Sequence, residues 1–212
     1  PEALLAWAPD VVVECAGHGA LKQYGVAVLR AGRSLVVASV GALSDAALER
    51  DIRDAASAGG GVLHVVPGAL AGLDALSAIP KSKLAEVRYA GAKPPTAWKG
   101  TAAETMIQLD EVSERVPFFE GTAREAASLF PKNANVIAAV ALAGRGFDDT
   151  RATLSVDPRA SGNEHFVAAV GDFGVLEVLI RSNPLAGNAK SSAMTPDSLF
   201  RCVRNMVSPV VI

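Results

Sequence analysis

The run Asp10-Val11-Val12-Val13-Glu14-Cys15 is rich in β-branched residues and ends at Gly17-His18-Gly19. This pattern is typical of a buried parallel strand that leads into a tight turn. Similar apolar runs follow at residues 34–39 and 62–66, and helical segments separate the three runs. The alternation of strand and helix predicts parallel pairing with right-handed crossovers, which is the arrangement of a doubly wound α/β sheet.

The helix between the second and third runs carries its own boundary signals. Ser44 is the predicted N-cap, because its hydroxyl can accept a hydrogen bond from an amide of the first turn. The helix is expected to run to Ala58 and to stop at Gly59-Gly60-Gly61. Glycine favours that stop because it tolerates the left-handed conformation that closes a helix.

Doubly wound sheets bind ligands beyond the carboxyl ends of their strands. Here those ends lie at residues 15–19, 39–42 and 67–71, and all three are rich in glycine, alanine or other small residues. Small residues let a flat ligand approach the backbone, although they also suit tight turns that bind nothing. We predict a ligand site at these ends, with contacts from Ala16, Gly17, Ser39 and Gly41.

The pattern changes near Lys81, where strands and helices no longer alternate regularly. Thr122 and Glu125 form a capping-box pattern ahead of a helix that is expected to end at Phe130-Pro131. Residues 135–144 predict an alanine-rich helix. Strands are predicted at four places, which are residues 84–89, 152–156, 165–170 and 175–181.

Two local signals complete this second half. The turn Gly171-Asp172-Phe173-Gly174 is expected to join the last two strands as a hairpin. Thr195-Pro196 is expected to open a final helix, with Thr195 as its cap and Pro196 at its first position. The second half therefore predicts an α+β domain built on a mixed or antiparallel sheet.

Composition excludes several classes of function. The 212 residues carry 20 basic and 22 acidic side chains, a net charge of −2, and no basic cluster, so we expect no nucleic-acid partner. No apolar stretch is long enough to predict a membrane span. Cys15 and Cys202 lie far apart, and the three histidines are scattered, so we expect a reducing, cytoplasmic compartment and no metal site.

Five short motifs, taken together, resemble the L-aspartate dehydrogenase family along the whole chain. They begin with residues 67–74 (PGALAGLD) and 130–136 (FPKNANV), and continue with residues 162–165 (GNEH), 188–192 (NAKSS) and 208–212 (SPVVI). The resemblance implies oxidative deamination of L-aspartate to iminoaspartate, with NAD or NADP as the hydride acceptor. It also implies that His165 is the catalytic histidine, that Ala69 and Asn135 contact the dinucleotide, and that the protein is a homodimer.

The same resemblance implies the domain organisation. Residues 1–80 would be part of a Rossmann-type dinucleotide-binding domain, residues 195–212 would rejoin it, and residues 81–194 would form the catalytic and dimerisation domain. Members of the family begin with a strand and a Gly-x-Gly-x-x-Gly turn, which this chain lacks. Residues 17–22 imitate only the first half of that turn. We therefore expect that about fifty to sixty upstream residues are missing.

The chemistry of the reaction favours particular side chains. Histidine suits proton handling because its usual pKa, about 6.5, lies near neutrality. Lys190, with Ser191 and Ser192, is the predicted carboxylate site, because the ammonium supplies charge and the hydroxyls supply directed hydrogen bonds. These three residues would otherwise cap a helix or face solvent. Lys93 and Thr101 are weaker substrate candidates.

Some assignments remain open at this level. Asn135 is either an N-cap or a partner of the nicotinamide carboxamide. His18 and His64 are interpreted as structural or peripheral. A homoserine dehydrogenase-like enzyme, a dihydrodipicolinate reductase-like enzyme and an inert fragment that binds no cofactor are the alternative functions.

Overall fold

The computed structural model describes residues 2–131 and 133–211, and for residues 188–190 it describes the backbone alone. The helices are α1 Glu2–Ala6, α2 His18–Arg30, α3 Ala46–Gly59, α4 Leu73–Ala78, α5 Pro95–Trp98, α6 Ala123–Leu129, α7 Ala134–Ala143 and α8 Met194–Asn205. Short 3-10 helices lie at Val40–Ser44, Lys81–Lys83, Ala102–Thr105 and Leu109–Glu111.

The strands are β1 Val11–Glu14, β2 Ser34–Val37, β3 Leu63–Val65, β4 Leu84–Lys93, β5 Val116–Thr122, β6 Thr150–Val156, β7 Asn163–Gly171, β8 Gly174–Ser182, β9 Pro184–Leu185 and β10 Asn188–Ser192. The first three form a parallel sheet in the order β1-β2-β3. Its crossover helices, α2 and α3, pack against each other. The predicted α/β class with a partial Rossmann-type sheet is confirmed.

The start of α3 corrects a detail of the sequence-based prediction. Asp45 is the N-cap, and its Oδ1 accepts hydrogen bonds from the amides of Ala47 and Leu48. Ser44 instead belongs to the preceding 3-10 helix, where its hydroxyl donates to the carbonyl of Gly41 at 2.8 Å. The predicted glycine stop is present, because Gly60 adopts a left-handed conformation with φ of 73°.

A five-stranded mixed sheet, in the order β5-β6-β4-β7-β8, forms the second half of the molecule. Strands β4 and β6 are parallel, and the other neighbours are antiparallel. The hairpin between β7 and β8 turns at Asp172 and Phe173, as predicted. Strand β4 continues past the predicted end at Tyr89 to Lys93, because it lies at the centre of the sheet and pairs on both sides.

The last helix begins two residues earlier than predicted. Helix α8 begins at Met194, and Ala193 occupies the cap position without a side-chain hydrogen bond. Thr195 is therefore inside the helix rather than its cap. Pro196 still lies in the first turn, where the missing amide hydrogen costs no helical hydrogen bond.

One contiguous apolar core joins the two halves. The 3-10 helix Val40–Ser44 packs against α6 and α7, and we call this contact the seam. At the seam, a Cβ placed on Gly41 would lie 2.5 Å from the Cβ of Ala134, so only glycine permits this approach. The guanidinium of Arg124 donates to the carbonyl of Ser44 across the same contact. Within the described residues, no helix has the length and apolar character that a membrane crossing requires.

Candidate functional site

A cavity of about 450 Å³ opens where the carboxyl ends of the parallel strands face the five-stranded sheet. Its volume lies within the range of about 300–1,000 Å³ that is usual for small-ligand pockets. Three groups of side chains enclose it. They come from the ends of β1, β2 and β3 (Cys15, Gly17, Ser39, Ala69), from the mixed sheet and α7 (Tyr89, Lys93, Asn135, His165), and from the segment that leads into α8 (Ser191, Ser192, Thr195).

His165 lies on the central part of the mixed sheet and is only 4% exposed. Its Nδ1 is 2.8 Å from the hydroxyl of Tyr89 on the neighbouring strand β4. The strand residue opposite His165 is Gly91. A Cβ on Gly91 would lie 2.7 Å from the Tyr89 hydroxyl oxygen. Glycine at this position therefore leaves the space through which Tyr89 reaches the imidazole.

The protonation of this pair follows from its burial. Burial, and to a smaller extent the nearby Lys93 charge, lower the pKa of His165 to about 4. Burial also raises the pKa of the Tyr89 hydroxyl. At neutral pH the imidazole is therefore neutral and the phenol retains its proton.

The tautomer of His165 follows from the hydrogen-bond partners of Tyr89. Among the described residues the Tyr89 hydroxyl has no acceptor other than Nδ1 of His165. A buried hydroxyl without an acceptor is unfavourable. We therefore assign Tyr89 as the donor and His165 as the tautomer with its proton on Nε2. In this state His165 has an Nε2–H group to offer a ligand.

Lys93 ends strand β4 and also lines the cavity. Its ammonium donates to Oδ1 of Asn133 and lies 5.3 Å from the centroid of the Trp98 ring. Burial lowers the pKa of Lys93 to about 8. The structure therefore brings this weaker substrate candidate next to His165, whereas it places Thr101 elsewhere. Thr101 caps the 3-10 helix Ala102–Thr105 and does not line the cavity.

Asn135 connects the seam to the cavity. Its Oδ1 accepts hydrogen bonds from the amide of Gly41 and from Nε2 of His18, each at 2.9 Å. Asn133, not Asn135, occupies the cap position of α7, so the N-cap alternative for Asn135 is wrong. Gly41 itself lies behind the cavity wall, where its amide holds Asn135 in place. With Oδ1 engaged, the Nδ2 group of Asn135 is the part of the amide available to a ligand.

Glu14 is a site residue that the sequence analysis missed. Its buried carboxylate accepts hydrogen bonds from the amides of Ala16 and Gly17 through Oε1, at 2.8 and 2.9 Å. It also accepts from the hydroxyl and the amide of Ser39, at 3.0 and 3.1 Å. One carboxylate thus fixes the turns that follow β1 and β2. The sequence signal that could have identified Glu14 is a single acidic residue at the end of an apolar strand. A buried charge without a partner is unfavourable there, so such a residue is expected to accept hydrogen bonds.

The predicted carboxylate site is described only in part. Ser191 and Ser192 line the cavity, and the Ser192 hydroxyl accepts the amide of Met194 at 3.2 Å. The side chain of Lys190 lies outside the described residues. Ala69 and Gly17 line the cavity, whereas the amide of Ala16 is turned towards Glu14.

Two family models match the chain. The model described as "Homoserine dehydrogenase, NAD binding domain" matches residues 1–66, and "Aspartate dehydrogenase, C-terminal" matches residues 74–206. The L-aspartate dehydrogenase of Ruegeria pomeroyi is 47% identical over 92% of this chain and 71% of that protein. The enzyme of the same name from Pseudomonas aeruginosa is 45% identical over 96% of this chain and 76% of that protein. The chain belongs to the L-aspartate dehydrogenase family.

Solved structures agree with membership of the L-aspartate dehydrogenase family. The crystal structure of aspartate dehydrogenase from Thermotoga maritima has a TM-score of 0.81 and 28% identity, and covers 96% of this chain and 78% of that one. A hyperthermophilic archaeal homoserine dehydrogenase in complex with NADPH has a TM-score of 0.55 at 10% identity, which is a likeness of fold alone. As a member of the L-aspartate dehydrogenase family, this chain is an oxidoreductase with a nicotinamide-cofactor domain. The predicted resemblance is confirmed.

Proposed function

We propose that the cavity carries out the oxidative deamination of L-aspartate. In this reaction the substrate loses a hydride from Cα and a proton from nitrogen, which gives iminoaspartate. Water then adds to the imine and ammonia leaves, which gives oxaloacetate. The observation that carries the proposal is the Tyr89–His165 pair, which lies in the same cavity as Gly17, Ser39 and Ala69 at the strand ends.

The cavity has features that suit a nicotinamide. Gly17 has a φ of 104°, and a Cβ on it would meet nothing within 4 Å, so the turn after β1 is open to a ligand. Ala69 adds a small side chain after β3, and Asn135 offers an amide donor to the carboxamide group. A bound nicotinamide would supply the hydride acceptor, as NAD or NADP.

The residues of this chain would then hold the substrate in place. His165 donates a hydrogen bond through Nε2 to an oxygen of the substrate or of the attacking water. Tyr89 keeps the imidazole in the orientation and tautomer that make this donation possible. Ser191 and Ser192 supply hydroxyls for a substrate carboxylate. The buried position of His165 also keeps bulk water away from its ring.

The experiment assays the complete product of the gene with and without His165→Ala. Formation of NADH or NADPH from L-aspartate is followed at alkaline pH with each coenzyme. The proposal expects activity in the complete product and a loss of at least about a hundredfold in the His165 variant. If the complete product oxidises homoserine or another substrate in preference to aspartate, the assignment of the substrate is wrong.

The predicted domain division is retained as part of the proposal. Helix α8 contacts β2 and contributes Thr195 and Pro196 to the cavity wall. This contact supports the view that residues 195–212 rejoin the domain of residues 1–80, while residues 81–194 form the catalytic domain. Two free cysteines, of which Cys15 is exposed, support a reducing, cytoplasmic compartment.

We also propose a homodimer through the mixed sheet. Strand β8 is at the edge of that sheet, with Val175 65% exposed and Leu179 45% exposed. The strand register pairs these residues with Val170 and Phe166, so that all four lie on one face of the sheet. Such an apolar face is suited to a second copy. Light scattering at micromolar concentration tests the proposal, and a monomer would contradict it.

A further inference from the structure

The ammonium of Lys93 has different partners from the guanidinium groups of Arg115 and Arg124. Arg115 pairs with Asp157 at 2.8 Å and with Glu164 at 2.6 Å, and Arg124 pairs with Asp148 at 2.6 Å. Within the described residues, Lys93 forms no ion pair with any carboxylate, although burial lowers its pKa. Removing a charge from water without supplying an opposite charge is unfavourable. An anionic ligand would remove that cost.

The contacts of Lys93 hold its ammonium without neutralising it. Oδ1 of Asn133 accepts one hydrogen bond, and the Trp98 ring faces the charge at 5.3 Å. Asn133 is itself only 7% exposed, so this arrangement is fixed inside the protein. An ammonium has three donors, and a neutral amide uses one of them. Donors therefore remain for a ligand in the cavity that Lys93 lines.

The cavity around Lys93 is suited to anions in a second respect. The described residues that line it include no aspartate and no glutamate. Lys93 is also the only lysine or arginine among the described residues that line it. Among the described residues, a dicarboxylate in this cavity would therefore meet Lys93 as the one cation, and hydroxyl or amide donors elsewhere.

The relation between Lys93 and His165 determines where the anion would lie. Gly91 on β4 lies opposite His165 on β7, and Lys93 follows Gly91 by two residues, so the side chains of Lys93 and His165 lie on the same face of the sheet and both line the cavity. An anion bound to Lys93 is consequently close to the Nε2–H donor of His165. One carboxylate on Lys93 would hold the reacting carbon of the same molecule beside the imidazole.

We infer that Lys93 binds one carboxylate of the substrate and makes the site selective for dicarboxylates over neutral amino acids. This inference rests on the proposed function, because it assigns a residue to the recognition of that substrate. It places the recognition on the central strand of the mixed sheet, at a residue that the sequence analysis named only as a weaker candidate than residues 190–192. The role is one of specificity, since Lys93 would contact a carboxylate and not the bond that breaks.

The test measures the binding of succinate, which has two carboxylates and no amine that can react. Isothermal titration is carried out on the complete gene product, with and without saturating NADH, for the wild type, Lys93→Met, Lys93→Gln and Lys93→Arg. We expect the two neutral variants to bind succinate at least about tenfold more weakly. Lys93→Arg should retain most of the affinity, and the affinity for NADH should not change. Lys99→Met is the matched control, because Lys99 is 49% exposed and pairs with Asp110 on the surface.

The outcomes separate this inference from the proposed function. Succinate binding that is unchanged in both neutral variants overturns the role of Lys93, even if aspartate is oxidised normally. Weaker succinate binding in these variants supports the role of Lys93, even if aspartate proves not to be the substrate. If the wild type binds no succinate at all, the inference fails together with the dicarboxylate specificity that it assumes. Cooperative thermal unfolding of each variant shows that it is folded. Because two different neutral substitutions are used, the test still applies if one of the variants does not fold.

Discussion

The hydroxyl of Tyr89 lies 2.8 Å from Nδ1 of His165, and the two residues are 76 positions apart in the chain. This hydrogen bond joins the neighbouring strands β4 and β7 of the mixed sheet. Because the phenol is the donor, the imidazole keeps its remaining proton on Nε2. The hydrogen bond therefore determines which ring nitrogen of His165 is the donor and which is the acceptor.

Tyr89→Phe removes this hydrogen bond and leaves the ring in place. We expect kcat to fall about tenfold, which corresponds to the net worth of one buried hydrogen bond, while KM for aspartate changes little. Nitrogen-15 NMR of the three histidines should show that His165 loses its preference for the Nε2–H tautomer. Tyr24→Phe, at a residue 38% exposed, is the control and should change neither quantity. An Nδ1–H tautomer in the wild type would refute the assignment of the donor.

Acidification should destabilise the protein through His165. Its pKa falls from 6.5 in the unfolded chain to about 4 in the folded protein, so the unfolded state binds more protons between these values. The contribution of the neutral His165 to the free energy of unfolding is fully present above pH 6.5 and is lost as the pH falls towards 4. From pH 8 to pH 5 the loss should be about 2 kcal/mol.

Urea unfolding of the wild type and His165→Gln at both pH values measures this loss. The variant should lack the His165 share of the pH dependence, since its amide does not titrate. An identical pH dependence in the two proteins would mean that His165 is protonated in the folded state at pH 5.

Gly91→Ala tests the space between Tyr89 and His165. The new Cβ would lie 2.7 Å from the Tyr89 hydroxyl oxygen, so the phenol must move and its bond to His165 must lengthen. We expect activity to fall about as far as in Tyr89→Phe. The double variant Gly91→Ala/Tyr89→Phe should lose little more than either single one, because both act on the same bond. Losses that simply multiply would show that Gly91 acts on something else.

Asn135→Asp and Asn135→Ala separate two roles of one amide. The aspartate variant keeps an Oδ1 acceptor for the Gly41 amide and removes the Nδ2 donor. We expect it to weaken NADH binding about tenfold, measured by fluorescence titration, with little loss of thermal stability. The alanine variant should weaken binding and also lower the melting temperature, since it releases the Gly41 amide. Unchanged NADH affinity in the aspartate variant would remove Asn135 from the cofactor site.

The affinity for succinate should fall as the pH rises above about 8. The lowered pKa of Lys93 means that its ammonium loses its charge in this range, and an anion binds only the charged form. The groups that surround it, Tyr89 and His165, are neutral there and do not compensate. Lys93→Arg should bind succinate with little pH dependence, because the guanidinium stays charged. The same decline in both proteins would assign the titration to another group.

The sequence predicted the parts of the fold that depend on local patterns. The β-branched run at Val11–Glu14 identified the first parallel strand, and the capping box of Thr122 and Glu125 was found with both of its hydrogen bonds. Helix starts were less certain, because neighbouring polar residues compete for the same cap. Asp45 took the place of Ser44 since the serine hydroxyl bonds to Gly41 instead.

The sequence identified the members of the site better than the links between them. His165, Ala69 and Asn135 all line the cavity, although their roles stay predictions. Tyr89 was missed because its partner is 76 residues away, and no local pattern records that bond. The four hydrogen bonds of Glu14 were missed for a similar reason, because two of them come from Ser39 in the turn that follows the adjacent strand β2.

The seam at Gly41 has a consequence for the spacing of reactants. The Cβ of any other residue would press on Ala134 at 2.5 Å and on Oδ1 of Asn135 at 2.9 Å. It would push α7 away from the parallel strands and so widen the cavity between the two halves, in which coenzyme and substrate would meet. Hydride transfer depends steeply on that gap, since small misplacements of reacting atoms slow catalysis severely. The close approach of α7 to the parallel strands thus depends on the absence of a methyl group at Gly41, a position that does not line the cavity.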